Sequence, residues 1–131
     1  MAVTVSWEDD EHTVLVLSFA DDWTLDEFRD ASVQAILMVR STAEPVYVIS
    51  DFSQAKSIPL GILWQARDIN RLRPANWTAG ITISHDWLLK NLLDVFSKVY
   101  MGQEQRRVYV VKTEAEAKEL IRKLKRDNQV L

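Results

Sequence analysis

The sequence predicts an α/β fold built on one mixed sheet, and three observations carry that prediction. The first is the order of segments. Apolar runs that suit strands alternate with amphipathic stretches of ten or more residues, and strands joined in that way pair in parallel through crossover helices. The second is Val46 to Asp51, a nearly continuous apolar run, as a strand needs when both of its faces are covered. The third is the start of the chain. Val3, Val5 and Trp7 alternate with polar residues, Glu8-Asp9-Asp10-Glu11-His12 makes a charged turn, and Val14 to Phe19 returns, which reads as an antiparallel hairpin at a sheet edge. The expectation is a single domain over residues 1–131: one five-stranded mixed sheet with four helices, in the order β-β-α-β-α-β-α-β-α.

Each element has its own warrant. Thr24 caps the first helix, Glu27 stands three residues later as its reciprocal partner, and Trp23 staples onto Phe28. Leu25, Phe28, Ser32, Ala35, Ile36 and Val39 then line one face at helical spacing. After the strand from Val46, a second helix opens with Ser57 as cap and Pro59 in its first turn, where a missing amide costs nothing. It presents Leu60, Leu63, Ile69 and Leu72 and ends near Pro74. A strand over Ala79 to Ser84 follows. A third helix runs from the cap Asp86 to about Met101, with Gly102 placed to end it. The last strand is Arg107 to Val111. Thr113 and Glu116 form a second capping box for a final helix burying Ala117, Leu120, Ile121 and Leu124.

Composition narrows the function classes. There is no cysteine, which removes disulfides, thiolate metal sites and a cysteine nucleophile. Sixteen basic and nineteen acidic side chains leave a net charge of −3, the wrong sign for a nucleic-acid binder. No apolar run reaches the roughly 20 residues that span a bilayer, and the first residues lack the basic start and apolar stretch of a signal peptide. The expectation is a soluble, cytoplasmic protein without an integral membrane segment, a nucleic-acid partner or a cofactor.

The stretch Val48-Ile49-Ser50-Asp51-Phe52-Ser53-Gln54-Ala55-Lys56-Ser57-Ile58-Pro59-Leu60-Gly61-Ile62-Leu63 places a strand ending in Asp-Phe-Ser before a loop and a helix with a Leu-Gly pair. With the element order, this layout resembles the STAS domain of anti-sigma-factor antagonists. The end of the chain is similar as well: Val108-Tyr109-Val110-Val111 leads into Thr113-Glu114-Ala115-Glu116-Ala117, as in the group related to the sporulation anti-anti-sigma protein (SpoIIAA-like). The resemblance implies a non-enzymatic regulatory module that binds a protein partner through the loop and helix after the central strand. In that family a kinase-like partner phosphorylates a serine at the helix start, within Asp-Ser-Ser-Gly. Here the stretch is Lys56-Ser57-Ile58-Pro59, so Ser57 alone matches by position, without the preceding carboxylate or the following glycine. Ser57 therefore has two readings, a helix cap and a phosphorylation site, and the cap is the simpler one.

Two further sets of residues bear on function. The carboxyl ends of the parallel strands bring Asp51, Ser53 and Ser57 toward Ser84, His85 and Asp86, an edge where sites form in such sheets. A hydrolase there would lack a Gly-x-Ser-x-Gly elbow, and Gly61, Gly80 and Gly102 are the only glycines, too few for a phosphate-cradling loop. His12 and His85 make no metal-ligand pattern. The five tryptophans weigh more. Ile62 and Trp64 fall off the main stripe of the second helix, and Trp87 and Leu88 add apolar bulk at the start of the third. They read either as a broad core contact or as an apolar surface between those helices, open to self-association, a protein partner or an apolar, lipid-like ligand. The candidate contact residues are Ser53, Ser57, Ile58, Pro59, Ile62, Trp64, Trp87 and Leu88, with no catalytic residue and no metal among them.

Overall fold

A computed structural model describes residues 2–59, 61–85 and 107–129. They form one five-stranded mixed sheet: β1 (Val3–Trp7), β2 (Val14–Asp21), β3 (Val46–Ala55), β4 (Trp77–Ile83) and β5 (Arg107–Val111), side by side in chain order. β1 and β2 pair antiparallel; every later neighbour pairs parallel. Among the described residues there are three helices, α1 (Leu25–Arg40), α2 (Ile62–Asn70) and α3 (Glu114–Gln129). The helix expected over Asp86 to Met101 lies outside the described residues, as do its stripe from Leu89 to Tyr100, Trp87, Leu88 and Leu60.

Alternation along the strands builds two cores. On one face Val3, Leu15, Leu17, Phe19, Val46, Val48, Phe52 and Trp77 pack against α1 and α2. On the other, Val14, Tyr47, Ile49, Ala79, Ile81 and Ile83 pack against Ala117, Ile121 and Leu124 of α3. Val46, Tyr47, Val48 and Ile49 are all buried, so the unbroken apolar run is a strand covered on both sides, as expected. Crossovers of one hand that step the same way along a sheet leave their helices on one face. This is where α1 and α2 lie.

α1 forms as its sequence dictates. Thr24 accepts from the Glu27 amide at 3.2 Å while the Glu27 carboxylate accepts from the Thr24 amide at 3.1 Å, a closed capping box of the kind whose loss costs about 1 kcal/mol. Trp23 packs on Phe28 with ring centroids 6.2 Å apart, completing the staple. The buried stripe is Phe28, Ala31, Ser32, Ala35, Ile36 and Val39. The far end of α1 is tied to β4 by one side chain: Asn76 Nδ2 donates to the carbonyls of Val39 at 2.9 Å, Thr42 at 2.9 Å and Glu44 at 3.0 Å.

The hairpin is organised by Asp9. Its carboxylate accepts from the amides of Thr13 (2.9 Å) and Val14 (3.0 Å) and from the Thr13 hydroxyl. Burial alone would push this carboxyl up, but those hydrogen bonds and the nearby Lys125 charge outweigh it and hold Asp9 below its ordinary value. Lys125 itself donates to Thr13 Oγ1 at 2.7 Å. Lys118 lies 3.4 Å from Glu8, and the hydrogen bonds it donates to Glu114 and Glu8 raise its pKa. These contacts dock α3 on the turn. At the start of α3, Thr113 Oγ1 accepts from the Glu116 amide at 3.1 Å, as the expected box requires. The Glu116 carboxylate, however, accepts from the Lys112 amide at 3.1 Å, one residue earlier than the reciprocal bond would be.

Candidate functional site

β3 is longer than its apolar run. It continues through Phe52, Ser53 and Gln54 to Ala55, while its ladder with β4 stops at Asp51↔Ile83, so β3 extends past β4 over Phe52–Ala55. The pairing with β2 passes from Ser18↔Asp51 to Ala20↔Gln54. Phe19 alone therefore faces both Phe52 and Ser53, a bulge that resets the register. The freed Ser53 amide donates to Asp51 Oδ1 at 2.9 Å. Phe52 drops into the core and stacks on Phe19, with centroids 4.3 Å apart and rings 16° from parallel. Beyond the bulge, Lys56 donates its amide to the Asp21 carbonyl at 3.0 Å, fixing where the loop leaves the sheet.

That loop does not open the helix where the sequence predicts. Ile62 donates to the Pro59 carbonyl at 3.1 Å in a turn, and α2 begins at Ile62 with Gly61 as its cap and no side-chain cap bond. Ser57 is therefore not the helix cap. It is exposed in the loop, four positions before Gly61, so a phosphate on it would stand off the helix terminus rather than on it. Gly61 sits close to α1: a Cβ there would come within 2.8 Å of Leu25 Cδ1. The later start rotates the buried face of α2 to Ile62, with Ala66 and Ile69 packed beside it. Ile62 is a core residue, 7% exposed, which selects the core reading for it and removes it from the contact set. The helix ends at Asn70, and Leu72 beyond it is exposed where the sequence pattern buried it.

The expected contact set thus divides. Ser53, Ser57 and Trp64 are exposed, Ile58 and Pro59 are half-buried with Ile58 resting on the core, and Ile62 is buried. Trp64 is 52% exposed and lies on the side of α2 opposite Ile62, with the Arg67 guanidinium 5.2 Å from its ring centre. Sequence reasoning missed Arg67, although its three-residue spacing from Trp64 on one helix face is the signal that finds it.

At the other proposed edge, Asp51 is engaged with the Ser53 amide and His85 is exposed. Among the described residues no hydrogen bond joins the two, and no three His, Cys, Asp or Glu side chains gather as a metal site. Asp86 lies outside the described residues. No helix among the described residues is long and apolar enough to cross a membrane. Comparison with family models, with curated proteins and with solved structures finds no match for the chain.

Proposed function

We propose that this chain is a non-enzymatic regulatory module that works by binding a protein partner, as the STAS-like layout implies, with the Ser53–Pro59 loop and the outer side of α2 as its contact surface. The observation that carries this reading is Trp64, half open to solvent beneath a guanidinium and adjacent in the chain to an exposed loop. Tryptophan and arginine are the side chains most enriched where binding energy concentrates, and a folded domain gains little by leaving an indole in water. Ser57, exposed in that loop, is the position at which a kinase-type partner could regulate binding.

The test uses the wild-type chain and Trp64→Ser as paired baits in an extract of the native host, with native mass spectrometry of each gently purified protein. A protein retained by the wild type and lost from the equally well-folded variant is the expected result. Equal capture by both, or none, would remove Trp64 from the binding surface. A small molecule held by the wild type in the mass spectrum would replace this reading with that of a carrier for an apolar ligand.

A further inference from the structure

The outer face of α1 carries Asp26, Asp30, Val33, Leu37 and Arg40, all exposed, at successive spacings of four, three, four and three residues. This is the stepping of a coiled-coil seam, and it runs along the side of the helix opposite the stripe buried against the sheet. Val33 is 49% exposed and Leu37 60%. The ends of the seam differ in sign, acidic toward the start of the helix and basic at its last turn. Arg29 lies 3.3 Å from Asp26 and 4.0 Å from Asp30, whereas Arg40 makes no ion pair with any described residue.

Such a seam complements a second copy of itself. Turned about a two-fold axis at position 35, Val33 faces Leu37 of the other copy, and Asp30 faces its Arg40. A parallel arrangement would set Asp30 against Asp30 and Arg40 against Arg40, so the charges select the antiparallel one. We propose that the chain self-associates as an antiparallel two-fold dimer through the outer face of α1, with Val33 and Leu37 at its centre and an Asp30–Arg40 pair toward each end. The interface is isologous. One helix pair buries less than the roughly 1,200 Å² of a standard interface, so the dimer is a weak one that forms at high concentration. This surface is separate from the loop and α2, and either can fail without the other.

The experiment is sedimentation velocity of the full chain over a concentration series reaching about 1 mM, with Asp30→Arg and Arg40→Asp measured singly and mixed. Both sites are exposed, and circular dichroism checks the fold. The wild type should approach the mass of two chains. Each single reversal turns two attractive contacts into repulsive ones, and should weaken association roughly tenfold or more. In the equimolar mixture one chain presents only cations at these positions and the other only anions, so association should return. A wild type that stays a single chain throughout, a dimer indifferent to either reversal, or a mixture no heavier than its parts would each overturn the proposal.

Discussion

Replacing Asn76 by Asp changes one atom in a side chain that holds three carbonyls, and the cost can be worked from the geometry. Nδ2 has two hydrogens and three acceptors, Val39, Thr42 and Glu44, all between 2.9 and 3.0 Å, so one hydrogen is shared. Two net hydrogen bonds at about 1 kcal/mol each are lost in any variant without the amide. In Asn76→Asp a carboxylate then faces the same carbonyls at the end of α1, where the helix dipole is negative, adding about 0.3–1 kcal/mol. The expected destabilisation is about 3 kcal/mol for Asn76→Asp and about 2 for Asn76→Ala. Aspartate fills nearly the same volume as asparagine, so packing alone predicts the opposite order. Urea unfolding at neutral pH measures both, through a shifted midpoint at constant slope. An Asn76→Asp variant as stable as Asn76→Ala would refute the donor argument.

Two further outcomes follow from the same hydrogen-bond accounting. Because Ser57 lies in the loop and caps nothing, Ser57→Ala should change unfolding stability by under about 0.5 kcal/mol, where a cap would cost about 1; the larger value would restore Ser57 to the helix terminus. Asp9 is held below its ordinary value of 3.8, so its folded form favours the charge. The stability it adds is present above about pH 4 and is lost as pH falls through the lower folded value. Unfolding curves of the wild type and Asp9→Ala should differ by roughly 1–3 kcal/mol near pH 6 and converge in acid, and a gap that widens on acidification would contradict the sign.

What could be read in the sequence is what local chemistry decides. The capping box at Thr24 and Glu27 fixes α1 to its first residue, and the apolar run Val108 to Val111 marks β5. β3 runs longer than its apolar run predicts, because Ser53 and Gln54 interrupt the run but not the strand. The strand continues because Gln54 and Ala55 pair with Ala20 and Asp21 beyond a bulge at Ser53, a partner that periodicity within one segment does not reveal. The start of α2 differs from the sequence expectation because Ser-x-Pro carries the cap and proline of a helix opening, yet Ser57 and Ile58 lie in the loop and Pro59 accepts from Ile62 in a turn ahead of the helix. With that four-residue delay Ile62 is buried and Ala66 packs beside it, and Leu72 falls past the helix end, where a 3.6-residue period no longer applies. Within the candidate site, Trp64 was legible as an apolar residue off the stripe; Ile62 was not, since its fate depends on where the helix begins.

The distribution of apolar side chains over the two faces of the sheet bears on both proposals. The large hydrophobics left exposed among the described residues are Val33, Leu37, Trp64 and Leu72. All belong to α1, α2 or the residues just past α2, on one side of the sheet. α3, on the other side, exposes charge instead: Lys118 pairs with Glu8 and Glu114, Arg122 with Glu119, and Ala117, Ile121 and Leu124 point inward. Singly exposed hydrophobics are common on any surface and scatter without preference. Gathered on one layer, they make the kind of apolar surface that contact with another molecule covers. Among the described residues the two sides of the sheet thus carry different surfaces, charged on α3 and partly apolar on α1 and α2, and both proposals draw on the second.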